Sequence, residues 1–127
     1  MSRSRRLQDD TSNRKRAERT GRRAELLCQF WLRLKGYRIL ATRYKSPAGE
    51  IDIIALRGKT LIAAEVKARS NRTDALYAVS SDQQRRIARA LEAYAGIIGH
   101  SGDLRLDLMI VSTWGRIGHM TNAWQAH

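Results

Sequence analysis

Gly49-Glu-Ile-Asp-Ile-Ile-Ala-Leu56, then Arg57-Gly-Lys59, then Thr60-Leu-Ile-Ala-Ala-Glu-Val-Lys-Ala-Arg69 reads as a β-hairpin. Both runs are short, apolar and carry β-branched residues, and glycine suits the turn between them. A two-residue turn at Gly58-Lys59 pairs Arg57 with Thr60, which places Asp52 opposite Glu65 and Glu50 opposite Lys67. Side chains alternate faces along a strand. Glu50, Asp52, Glu65 and Lys67 are therefore expected on one side, and Ile51, Ile53, Ala64 and Val66 on the other, toward a core. A slip of one residue would undo the arrangement.

Two carboxylates at close range make a poor core but a good site for a hard divalent cation, Mg2+ or Mn2+. A lysine beside them can steady a developing negative charge or position a water. For any one of these residues a plain cross-strand ion pair on a solvated face is the simpler reading. Together they favour a site, because both strands otherwise read as the middle of a covered sheet. Charges there are costly unless paired or bound to metal. Glu50, next to the turn-like Ser46-Pro-Ala-Gly49, is the weakest member.

The 127 residues suit one domain with a single core. Cys28 is the only cysteine, so no internal disulfide framework exists, and its place in an amphipathic stretch suits a small buried residue. No apolar run is long enough to span a membrane, and Met1-Ser-Arg-Ser-Arg-Arg6 is not the start of a secretory signal. A cytoplasmic protein is expected. His100, His119 and His127 lack ligand spacing for zinc.

The net charge of +12 points to a polyanionic partner. Half of it lies in residues 1–23, where nine Lys/Arg meet three acids. Residues 1–13 are expected to be a flexible basic arm, either a phosphate-gripping element or a solubilising tail, ahead of a single domain over 14–127.

Hydrophobic spacing predicts a helix over 14–34 with Ala24, Leu27, Phe30, Trp31 and Leu34 as its apolar stripe, ended by Gly36. A strand over 37–44 precedes the hairpin, and 70–79 reads as a loop. Ser81-Asp-Gln-Gln84 fits a capping box opening a second helix. Ile87, Leu91, Tyr94, Ala95 and Ile98 would be its buried stripe, with Arg85, Arg86 and Arg89 opposite. Leu104 to Val111 is a buried strand interrupted by Asp107, which would pair with Arg105 or Lys67. Residues 117–124 are short, strand or coil. The order αβββαβ is a mixed α/β layer with helices on a central sheet. Glu25 is either a boundary residue paired with Arg22 or Gln29, or a third carboxylate leaning over the sheet. Trp31 belongs to a core; Trp114 and Trp124 either pack at the sheet edge or stack on bases.

Gly21-x-x-Ala-Glu25, Gly36-Tyr37, Gly49-Glu-Ile-Asp-Ile-Ile54, Glu65-Val-Lys-Ala-Arg69, Arg86-Ile87, Arg105-Leu-Asp-Leu108 and His119-Met-Thr-Asn-Ala-Trp124 together resemble the YraN-like family of uncharacterised bacterial proteins. The likeness covers about residues 16–124. That family is similar to the PD-(D/E)xK nucleases, the superfamily of restriction-endonuclease cores and Holliday-junction resolvases. The resemblance implies a restriction-endonuclease-like fold and a metal-dependent endonuclease acting on DNA, including branched or structured DNA, with a homodimer by analogy. It makes Asp52 and Glu65 metal ligands with the Val66 carbonyl, Lys67 the catalytic lysine, and Glu25 a further carboxylate that binds metal through water or tunes Lys67. Arg69, Arg72, Arg85, Arg86 and Arg89 become phosphate contacts. The family commonly has Asn where Arg43 stands and Lys where Gln83 stands, and Gln83 leaves one cation fewer near the site.

Two other readings stand beside the nuclease. A nucleic-acid-binding module that keeps the fold would show salt-sensitive binding with no metal requirement. A scaffold with a purely structural acidic cluster would bind nucleic acid weakly.

Overall fold

A computed structural model of the chain describes residues 21–125. The basic arm expected at 1–13, and the helical start expected at 14–20, lie outside them. The described elements are helix α1 (21–34), β1 (Arg38–Lys45), β2 (Glu50–Arg57), β3 (Thr60–Ala68), α2 (Arg72–Tyr77), α3 (Ser81–Ile98), β4 (Asp103–Val111) and β5 (Ile117–Met120). The strands form one sheet in the order β1-β2-β3-β4-β5. Every neighbouring pair is antiparallel except β3 and β4, which are parallel and joined by the α2–α3 crossover. This is the mixed α/β sheet flanked by helices that the element order predicts. Among the described residues no helix is long and apolar enough to cross a membrane.

Alternation along the central strands divides the core in two. Ile54, Leu61, Ala63, Leu106 and Leu108 pack under Ile87 and Leu91 of α3. Ile53, Ala55, Ile62, Ala64 and Met109 pack under Ala24, Cys28 and Leu32 of α1. The α1 seam differs from the expected stripe. Leu27, Phe30 and Leu34 are exposed, while Trp31 is partly buried. The face that carries Ile53, Ile62 and Met109 admits a helix most closely through small residues, so the Ala24-Cys28-Leu32 row wins over the bulkier one.

Three further expectations change. Residues 70–79 contain the short helix α2, capped by Asn71, whose side chain accepts from the Asp74 N–H at 2.8 Å. The cap of α3 is Ser80 rather than Ser81, with its hydroxyl accepting from the Gln83 N–H at 3.1 Å. Ile98 is exposed in the last turn before Gly99, whose left-handed φ of 71° ends the helix. Tyr94 is half-buried, edge-on to Tyr44 at 5.1 Å between ring centroids.

The β1–β2 turn is pressed onto α3. A Cβ on Gly49 would stand 2.9 Å from Arg86 Cβ and 3.1 Å from the Arg86 carbonyl oxygen, so this approach requires glycine. Asp107 settles its own partner: Arg105, not Lys67. It is completely buried, and the Arg105 guanidinium donates to both its oxygens at 2.8 Å. His119 Nε2 lies at 2.8 Å and the Asn122 N–H at 3.0 Å. Arg105 also donates to the Tyr37 hydroxyl, tying the strand after α1 to β4 and β5. Trp124 is buried on the α3 side, whereas Trp114 is almost fully exposed rather than packed at the sheet edge.

Candidate active site

The hairpin has the expected register: Arg57 pairs with Thr60 and Ile53 with Ala64. The ladder then stops. Where Asp52 would continue it, its Oδ2 accepts the Val66 N–H at 2.8 Å. A side chain has replaced a backbone acceptor, and β2 parts from β3 while staying paired with β1 through Tyr44↔Ile51 and Lys45↔Glu50. Arg43, between the pairs Thr42↔Ile53 and Tyr44↔Ile51, has a left-handed φ of 50°. That conformation costs an arginine on the order of 1 kcal/mol, whereas asparagine tolerates it better.

This break corrects the expected faces. Ile53, Ala64 and Val66 pack on the α1 side as expected, but Ile51 turns to the α3 side with Tyr44. Strict alternation fails where the β2–β3 ladder ends and Arg43 on the neighbouring strand takes its left-handed φ. Glu50 is exposed and is aligned with Lys45, away from the carboxylates.

Glu65 and Lys67 leave β3 toward α3. Glu65 is buried, and its Oε1 accepts from Gln83 Nε2 at 3.1 Å and lies 3.4 Å from Lys67 Nζ. Gln83, the first-turn residue the sequence flagged as one cation fewer, thus orients Glu65 by a neutral hydrogen bond. This also explains why no capping box closes: the side chain that would reach back to the cap is held by the sheet.

Burial pushes Asp52 above the usual carboxylate range, although the Val66 N–H favours its charged form. Burial and the adjacent Asp52 charge raise Glu65 to about 8, with Lys67 opposing. The two carboxyls titrate as one coupled pair, and burial raises the proton affinity of both. Burial, then Asp52 and Glu25, raise the Cys28 thiol to about 12, so it is an inert neutral neighbour.

Glu25 lies on the α1 side, near enough for its charge to act on Asp52 and Cys28. Its partner is neither Arg22 nor Gln29. Arg43 Nε donates to its Oε2 at 2.9 Å. The spacing of residues 25 and 43 carries no local signal, so sequence could not disclose this pair. Among the described residues, no three His, Cys, Asp or Glu side chains gather closely enough to hold one ion as they stand. Asp52 and Glu65 offer hard oxygens at one point, which suits Mg2+ or Mn2+, and such ions keep several waters and take one or two carboxylates plus substrate oxygens. The residues present fit that group. Arg69, Arg72, Arg85, Arg86 and Arg89 are all exposed, and Arg85 and Arg86 lie at 3.6 and 2.9 Å from Asp82.

The raised proton affinity of Glu65 has a consequence for stability. Unfolded, Glu65 releases its proton near 4.5; folded, it holds it to about 8. Its stabilising contribution is complete below the lower value and is lost as pH rises to the upper one. In EDTA, the melting temperature is expected to fall by roughly 5–10 °C more between about pH 5 and pH 9 for the native chain than for Glu65→Gln. Equal slopes in a thermal-melt series would show that Glu65 titrates normally.

The model of the family described as Uncharacterised protein family UPF0102 matches residues 24–111, a span holding Glu25, Asp52, Glu65 and Lys67. The UPF0102 protein of Rhizorhabdus wittichii is 41% identical over 114 residues, covering 89% of this chain and 97% of the relative. That of Sinorhizobium medicae is 45% identical over 111 residues, covering 86% and 91%. That of Parvibaculum lavamentivorans is 44% identical over 113 residues, covering 86% and 84%.

Proposed function

The chain belongs to the UPF0102 (YraN-like) family, and for this member we propose metal-dependent endonuclease activity on DNA, branched or otherwise structured. The observation that carries the reading is the meeting of Asp52, Glu65 and Lys67 at the point where β2 parts from β3. A buried carboxylate and a half-buried one, both with raised proton affinity, beside an ammonium in a chain of net charge +12, form a site for a cation and a polyanion together.

Asp52 and Glu65, with the Val66 carbonyl, would hold Mg2+ or Mn2+, which when bound supplies Lewis-acid polarisation of the phosphate and an acidified water. Gln83 fixes the orientation of Glu65 through its 3.1 Å hydrogen bond. Lys67 directs its Nζ to the place where negative charge grows on the phosphoryl oxygens, or holds the attacking water there. Arg43 keeps Glu25 at the α1 side of the centre, where its charge acts on Asp52. The exposed arginines contact flanking phosphates and give salt-dependent affinity.

The test is incubation of labelled single-stranded, duplex, flap and four-way-junction DNA with Mg2+, Mn2+ or EDTA. Cleavage by the native chain with metal, absent in EDTA, is the expected result. Salt-sensitive binding with no cleavage on any substrate would instead support a nucleic-acid-binding module. That second reading is favoured by one feature: Glu65 already has Gln83 and Lys67 as partners, and Asp52 has the Val66 N–H.

A further inference from the structure

The parallel strands β3 and β4 end together at Ala68↔Val111, and the surface they leave is not used by the carboxylate centre. Arg69, the next residue, stands between two hollows. On the α1 side a cavity of about 540 Å³ is lined by Arg23, Arg69, Ser112 and Thr113 among others. On the α2 side one of about 320 Å³ is lined by Arg69, Arg72, Arg116 and Asn71. Ser70 and Ser112 face both, and no acidic residue lines either. Four guanidiniums, with hydroxyls between them, form one basic saddle.

The loop from β4 to β5 rises beside it. Ser112 N–H donates to the Arg116 carbonyl at 2.9 Å, and Gly115 N–H to the Ser112 carbonyl at 2.9 Å. Arg116 N–H donates to Ser112 Oγ at 3.1 Å, and Gly115 takes a left-handed φ of 77°. This closed loop carries Trp114, which is 94% exposed. The two other tryptophans of the chain pack against the core clusters. An indole held out in water on a short hydrogen-bonded loop offers a flat face on a backbone that is already ordered.

We propose that this saddle binds a single-stranded stretch of nucleic acid, with phosphates on Arg23, Arg69, Arg72 and Arg116 and one unpaired base stacked on Trp114. Base stacking on an aromatic ring tolerates any sequence but needs a base free of its own stack, which selects unpaired strands. Arg69 is two residues beyond Lys67, about 7 Å along the strand, so a strand in the saddle runs on toward the carboxylates. In that continuity the assignment rests on the nuclease reading and names its substrate feature, an unpaired segment beside the cleavage point.

The test is equilibrium binding of the full chain in EDTA to a fluorescent oligo(dT) of about 15 nucleotides and to a duplex of equal length. Trp114→Ala is expected to weaken oligo(dT) binding about tenfold and duplex binding less than about twofold, with Trp114→Phe close to native. Arg116→Ala should weaken both and make the logarithmic salt dependence on oligo(dT) shallower by about 0.7. Native-like oligo(dT) binding by Trp114→Ala, or equal loss on both ligands, overturns the proposal. Because no metal is present, the result stands apart from cleavage. A saddle without stacking can accompany an active nuclease, and a stacking saddle can accompany an inactive one.

Discussion

Lys67→Ala is expected to reduce metal-dependent DNA cleavage by about a thousandfold or more while leaving DNA affinity within about twofold. The side chain is partly exposed and its Nζ lies 3.4 Å from Glu65, so truncation opens no core cavity. Two effects would follow. A cation facing the developing phosphoryl charge disappears, which lowers the rate at saturating metal. The charge that opposes protonation of Glu65 also disappears, so the pair holds its proton more tightly and binds metal less well. Metal titration at about pH 7 and again at about pH 9 separates them, because only the metal-affinity defect recovers when the proton is removed. A rate deficit that persists at saturating Mn2+ at both values assigns Lys67 to the transition state. Cleavage at the native rate would remove Lys67 from the reaction. A loss of DNA binding equal to the loss of rate would make it a substrate contact.

The hairpin was legible because its signals are local. β-branched runs, a Gly58-Lys59 turn and two-residue alternation determine the register, which is the observed one from Arg57↔Thr60 to Ile53↔Ala64, the ladder ending just before Asp52 and Glu65. The same alternation misplaced Ile51, since no propensity encodes a carboxylate taking the place of a backbone acceptor. In α1 the two apolar rows are equally periodic. Choosing between Ala24-Cys28-Leu32 and Leu27-Phe30-Leu34 requires knowing which side chains the opposing sheet face presents. Pairings across long separations, Arg43 with Glu25, Gln83 with Glu65 and His119 with Asp107, depend on the packed sheet and have no sequence signature. Family motifs nevertheless marked every one of those positions except Arg43 and Gln83, the two that they marked as departures. Both departures lie against the site: one grips Glu25, the other grips Glu65.

Asp107→Ala is expected to lower the melting temperature in EDTA by roughly 15 °C, a larger loss than at Asp52 or Glu65. Burial alone would raise Asp107, yet hydrogen bonds from His119, Arg105 and the Asn122 N–H outweigh it and hold the carboxyl below its ordinary value. Arg105 is raised in turn by its bond to Asp107. The stabilisation is therefore present above the unfolded value of 3.8 and is lost as pH falls through the lower folded one. Removing the carboxylate leaves Arg105 and His119 without their acceptor, at a cost of about 3–5 kcal/mol. Asp52→Asn supplies the contrast. Asp52 is raised by burial, and an Asn side chain can still accept the Val66 N–H, so its melting temperature in EDTA should stay within a few degrees of native. The two aspartates thus differ in what their surroundings satisfy. Asp107 has enough donors to be a buried anion on its own, whereas burial raises the proton affinity of both Asp52 and Glu65. Equal losses for Asp107→Ala and Asp52→Asn, measured by thermal melts with and without Mn2+, would abolish that distinction. A rise in melting temperature with Mn2+ in the native chain but not in Asp52→Asn would locate the cation between Asp52 and Glu65.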